Sequence, residues 1–274
     1  MKLGIINGWS EENIKYVRDK GLECVEFCCN HNYDSAQFLA EAENIKSYCE
    51  KYSVSVASTG RWGMDKYDSS GALIEKSLDD DRNAIKACAV FGCPVFVTGV
   101  NAVEGKSFDE NCKAAVDYLG GLIEFAKPYG IKIAVYNCDW SNFVFEQRAW
   151  EKVLGALPEL GIKYDVSHCI NRRADYLKEL RDWGDRIYHF HLKGTLHIDG
   201  EGYDDPPAGL DDTKWGPVFS LLYTKGYNGA ISIEPHSGKW QGALGQWGID
   251  FTINFIRPYI MPDSYAQSIN PYMP

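Results

Sequence analysis

The chain has 274 residues, of which 45% are hydrophobic and 24% charged, and its formal net charge is −10. That balance fits a soluble globular protein of one large domain or two small ones, and it excludes a disordered chain. No lysine or arginine run breaks the acidic sign, which argues against nucleic acid or an anionic membrane as partner.

Eight short segments rich in β-branched and apolar residues recur along the chain, separated by stretches with helical spacing. Residues 2–7 read as the first strand, and a helix over 11–20 opens at Ser10 with Glu11 and Glu12 in its first turn. A strand over 22–28 and a helix over 34–51 follow, then a strand over 53–59 and a helix over 72–91. The next pairs are 94–100 with 108–129, 131–138 with 145–157, and 162–168 with 174–183. The last two are 187–193 with 213–225 and 230–236 with 241–256. Gly21, Gly92, Gly130, Gly161 and Gly229 each precede a strand, where a left-handed residue turns a helix end into the next element.

Strands that alternate with helices pair in parallel, and eight such units in about 250 residues match a closed (β/α)8 TIM barrel. The alternative is an open doubly wound sheet, but no G-x-G-x-x-G follows the first strand. The reading is a single barrel over residues 1–260 with a C-terminal tail over 261–274. Residues 195–212 form an acidic insertion after the seventh strand, long enough for a lid or binding loop. The cysteine count is nine, no C-x-x-C pair occurs and no signal-like apolar stretch opens the chain, so a reduced cytoplasmic protein is expected. No apolar run reaches the roughly 18 residues that span a bilayer.

In this fold the active site forms at the C-terminal ends of the strands. There the sequence places Asp165 and His168 at the sixth strand, His189, His191 and Lys193 at the seventh, and Glu234 and His236 at the eighth. Alternation across a strand lets Asp165, His191 and Glu234 point into one mouth, a mixed oxygen and nitrogen set for a divalent ion. The purely structural alternative has Asp165 capping its loop and Glu234 pairing with Lys193 or Arg61. Trp9, Trp62, Trp140 and Trp215 follow strand ends, where rings can stack on sugar C–H faces. Arg61 beside Trp62 is a candidate for an anionic substrate group, and Asp79, Asp80 and Asp81 read as a solvated helix face. His189, two residues before His191, is expected deeper and hydrogen-bonded.

These residues carry a resemblance. Gly21-Leu22-Glu23-Cys24-Val25-Glu26-Phe27, the pair Asp165 and His168, His191-Leu192-Lys193, and the run from Gly226 to Glu234 resemble the sugar phosphate isomerase/epimerase superfamily with a xylose isomerase-like barrel. The resemblance implies one divalent cation, Mn²⁺ first and Mg²⁺, Co²⁺ or Zn²⁺ otherwise, held by Glu, Asp, His and Glu from strands five to eight. The last three fall on Asp165, His191 and Glu234, whereas Tyr136 before Asn137 stands where the first Glu is expected. Gly194 likewise replaces an Asp at the end of the His-x-Lys run. Three outcomes follow: three ligands and water, a Tyr136 phenolate ligand, or loss of the metal.

The resemblance also implies a small carbohydrate substrate, a homo-oligomer, and proton transfer through a metal-stabilised enediolate. Glu234 would be ligand and acid/base, and His168 would contact the substrate and shuttle protons, with Tyr136, Trp140, Arg61, Trp62 and Lys193 shaping the pocket. With a phenol in place of the strand-five carboxylate, a one-base isomerisation or elimination is favoured over 3-epimerisation. No glycine-rich phosphate cradle follows strands seven or eight, which favours an unphosphorylated sugar, keto-sugar or polyol. The rival readings are a metal-free sugar-binding barrel and a DNA-repair nuclease. The nuclease would need more metal ligands and a basic groove.

Overall fold

The computed structural model describes residues 1–30, 33–262 and 265. In chain order its strands are β1 (Lys2–Ile6), β2 (Cys24–Cys28), β3 (Ser55–Gly60), β4 (Val95–Thr98), β5 (Lys132–Tyr136), β6 (Gly161–Asp165), β7 (Ile187–Leu192), β8 (Leu196–Ile198), β9 (Glu201–Asp204) and β10 (Ala230–Ile233). Eight of them pair in parallel and close into a barrel, with β10 hydrogen-bonded to β1, while β8 and β9 form a separate antiparallel hairpin. The expected (β/α)8 barrel is therefore present, and the 195–212 insertion is in part this hairpin. Of the expected tail, only Met261, Pro262 and Tyr265 lie within the described residues.

The helices are α1 (Glu11–Asp19), α2 (Ser35–Ala40), α3 (Ala42–Tyr52), α4 (Glu75–Phe91), α5 (Phe108–Ala126), α6 (Gln147–Ala156), α7 (Val166–Asn171), α8 (Tyr176–Trp183), α9 (Trp215–Thr224) and α10 (Gly242–Ile256). Ser10 caps α1 by accepting from the Asn13 N–H, and Ser107 with Glu110 forms a capping box on α5. The single helix expected over 34–51 is broken at Glu41, and the strand expected over 162–168 stops at Asp165. There the Asp165 side chain accepts from the Ser167 N–H and starts α7, so local capping ends the strand. Among the described residues no helix is long and apolar enough to cross a membrane.

Alternate strand residues face opposite sides. Leu3, Ile5, Val25, Phe27, Ile133, Val135, Ile162, Phe190, Ile231 and Ile233 face the helices and join the main core. The opposite face lines the barrel and is divided. Val95, Val97, Ala134 and Tyr136 form an apolar wall with Trp62, whereas Glu26, Lys163, Asp165, His189, His191 and Ser232 are buried polar groups on the other strands.

A second polar centre lies between β3 and α4. The Asp81 carboxylate is fully buried and accepts from Lys66 Nζ at 2.9 and 3.0 Å, Tyr118 Oη at 2.8 Å, Thr98 Oγ1 at 3.2 Å and the Arg61 guanidinium. Arg61 also donates to Asp80 Oδ2 at 3.3 Å and to the Ser77 carbonyl at 3.0 Å. Two expectations fall here: Arg61 is consumed by this cluster rather than free for substrate, and Asp80 and Asp81 are buried instead of solvated. The cluster ties the segment after β3, which carries Trp62, to α4.

Breaking such a cluster strands buried charges. Asp81→Ala is expected to lower stability by about 3–5 kcal/mol, read from urea unfolding. Asp79→Ala, on the exposed side of α4, should stay within about 0.5 kcal/mol of wild type.

Candidate active site

Asp165 ends β6 with its two oxygens in different surroundings. Oδ1 accepts from Ser167 N at 2.9 Å and Ser167 Oγ at 2.7 Å. Oδ2 is buried and has no hydrogen-bond partner; Lys193 Nζ and His168 Nε2 lie 3.4 Å away and Lys163 Nζ 3.9 Å. Asn137 staples this strand end to β5, donating to the Asp165 carbonyl at 2.8 Å and accepting from its N–H at 2.9 Å.

On β7 both histidines meet Glu26 of β2. His189 Nε2 lies 2.6 Å from Glu26 Oε2, and His191 Nε2 lies 2.8 Å from the same oxygen. The other nitrogen of His191, Nδ1, lies 2.9 Å from Glu234 Oε2, just beyond β10. Lys193 Nζ sits between the two mouth carboxylates, 3.4 Å from Asp165 Oδ2 and 3.9 Å from Glu234 Oε2. His168 Nε2 is 3.4 Å from the same ammonium.

Burial opposes ionisation of Glu26, but His189 and His191 beside it hold it well below the usual carboxylate range. Glu234 is likewise opposed by burial and held down by Lys193 and His191. Asp165 is brought to about 2 by Lys193, His168 and Lys163, against the cost of its burial. Burial lowers His168 to about 3 even though Asp165 favours its charge, so at neutral pH it is a neutral imidazole. A titration that low does not favour the proton-shuttle role expected for it.

Asp165, His191 and Glu234 bring ligand atoms within 4.8 Å of one another. Glu26, His189 and His191 also converge, and in both groups a histidine is hydrogen-bonded to a carboxylate, but the first group alone holds a buried carboxylate oxygen that accepts no hydrogen bond. The first group fits a divalent ion: it offers two carboxylates and an imidazole, and Asp165 Oδ2 is a buried acceptor with nothing to accept. Glu26 on the second nitrogen of His191 is the kind of partner that orients a metal-ligating histidine.

Tyr136 is not a fourth ligand. Its hydroxyl donates to the Trp140 carbonyl at 2.6 Å and accepts from Gly63 N–H at 3.3 Å, and burial pushes its ionisation far up. The phenolate expectation is overturned on both grounds.

Of the expected pocket residues, Trp62 lies between Tyr136 and His191, with ring centroids 6.3 Å from each, and it walls the site. Trp140 is half exposed at the rim, its ring against Gly63, where a Cβ would collide. Trp9 packs on Phe27 and Phe38 and Trp215 is in the core, so neither joins the mouth. His236 pairs with Asp205 at 2.8 Å. Two residues went unassigned in the sequence: Glu26 as the holder of both histidines, and Lys163, which shares the inward face of β6 with Asp165. The available signal was a lone charge inside an apolar strand, which must be paired if buried.

Residues 14–255 match the family described as xylose isomerase-like TIM barrel, and the chain belongs to it. It is similar to an inosose isomerase of Bacillus licheniformis, 22% identical in an alignment of 266 positions, gaps included, that covers 85% of this chain and 88% of that one. Among solved structures it is similar to D-psicose 3-epimerase with D-fructose (15% identity, TM-score 0.72, covering 94% of this chain and 99% of that one). It is also similar to 3-keto-D-glucoside 4-epimerase of E. coli (16%, 0.73, 94% and 99%) and to the IOLI protein with a bound zinc atom (16%, 0.74, 96% and 100%). At these identities the solved structures show the fold.

If Glu26 orients His191, Glu26→Gln should weaken divalent-ion affinity by about 10–100-fold, measured by competition with a chelating dye. Tyr136→Phe should leave that affinity unchanged. A loss of affinity in Tyr136→Phe would return the phenol to the ligand set.

Proposed function

We propose that this barrel is a metal-dependent isomerase or epimerase of an unphosphorylated sugar, keto-sugar or polyol, with Asp165, His191 and Glu234 holding the ion. The observation that carries the reading is the convergence of those three side chains around an Asp165 Oδ2 that accepts no hydrogen bond. The sugar chemistry named for the relatives supports the substrate class. A divalent ion in that position supplies Lewis-acid polarisation of a carbonyl and its neighbouring hydroxyl.

The chain's own residues do the rest. Glu234 is ionised and has the most open side chain of the three ligands, so it is the carboxylate placed to take a proton from carbon. Neutral His168 offers a hydrogen bond to a substrate hydroxyl, and Lys193 offers charge to an oxygen between Asp165 and Glu234. Trp62 excludes water from the apolar side. The strand-five position holds a hydroxyl that is already engaged, so a second base facing Glu234 is missing there. That favours proton transfer on one face, an aldose–ketose isomerisation or an elimination, ahead of 3-epimerisation.

A second reading, a metal-free sugar-binding barrel, draws on Lys193, whose ammonium already lies between the two mouth carboxylates. Elemental mass spectrometry of protein purified without chelator separates the two. About one equivalent of manganese, cobalt or zinc, lost in Asp165→Ala, is the expected result. The metal-loaded protein should then exchange carbon-bound hydrogen of a ketose for deuterium in D₂O, followed by NMR. Protein that takes up no ion and exchanges no hydrogen would leave only the binding reading.

A further inference from the structure

Lys163 is the one charged group of the barrel mouth that the proposed chemistry leaves unused. It is 2% exposed, yet no described residue accepts a hydrogen bond from its ammonium. Its nearest anionic atom is Asp165 Oδ2 at 3.9 Å, and the Trp62 ring centroid is 5.8 Å away. Lys66, which is fully buried, donates to both Asp81 oxygens at 2.9 and 3.0 Å. An ammonium brings three donors, and a buried charge is ordinarily both paired and hydrogen-bonded. The neighbouring thiols of Cys28 and Cys138 are pushed up by burial, so neither supplies a counter-charge.

We infer that Lys163 is an anion-binding group of the site, and that the substrate is an acidic sugar whose carboxylate docks on its ammonium. The inference rests on the metal-dependent reading above. Of the two lysines beside the candidate metal site, Lys193 already faces Asp165 and Glu234 at 3.4 and 3.9 Å, with Asp205 also acting on it, whereas Lys163 has no carboxylate within hydrogen-bond distance. Lys163 is therefore the lysine whose donors are left for a substrate carboxylate, a group that a neutral sugar does not offer.

The test is calorimetric binding to the metal-loaded protein, with two matched pairs of probes: 5-keto-D-gluconate against D-fructose, and D-glucuronate against D-glucose. Wild type should bind the acid of at least one pair ten or more times more tightly than its neutral partner. Lys163→Met should lose that preference at unchanged metal content, and Lys163→Arg should keep part of it. Should Lys163→Met fail to fold, the salt dependence of wild-type binding decides: affinity for the acid falls with added NaCl and that for the neutral sugar does not. Neutral sugars binding as tightly as acids, or a preference that survives in Lys163→Met, overturns this inference and leaves the isomerase reading standing. Binding of none of the four overturns both.

Discussion

One buried carboxylate organises the barrel mouth. Glu26 on β2 reaches across the barrel to both imidazoles of β7, and each contact is short enough to fix a ring plane. With Nε2 of His191 occupied from below, Nδ1 is left facing Glu234 and the open end of the barrel. The orientation of the nitrogen on which any metal chemistry depends is thus set three strands away, by a residue that need not touch the ligand. His189 is bound to the same carboxylate, and its burial opposes its charged form while Glu26 favours it.

The division of the barrel interior explains how a phenol came to stand at a ligand position. Tyr136 belongs to the wall formed by Val95, Val97, Ala134 and Trp62, and its hydroxyl holds the loop after β5 through the Trp140 carbonyl. Polar function is gathered on β2, β6, β7 and β10 instead, and Asn137 carries only the β5–β6 staple. A substrate in this mouth lies between one apolar and one charged side, an arrangement that suits a sugar with a distinct polar edge.

The barrel was legible because its signals are local. Short β-branched and apolar segments alternating with helical spacing, and glycines before strands, marked all eight barrel strands, and strand-end polarity named Asp165, His191 and Glu234. What stayed hidden depends on tertiary contact. Arg61 next to Trp62 reads as a substrate ligand until Asp81, twenty residues on, claims it. The Asp79–Asp81 run looks like a wet helix face until α4 turns two of the three inward. Glu26 and Lys163 were visible as charges inside apolar strands, but only closure of the barrel says which groups they meet.

Charge in the mouth is arranged so that folding does not wait for an ion. Asp165 and Glu234 are ionised against Lys193 and Lys163, and Glu26 faces a His191 whose charged form it favours despite burial. Each of these carboxylates has a lysine or imidazole partner inside the protein. Binding of a dication is then an exchange, in which Lys193 must share the carboxylates it lies between. Affinity for the ion therefore measures a difference between two well-compensated states, and the groups that tilt it, Glu26 below and Lys193 beside, lie outside the ligand set.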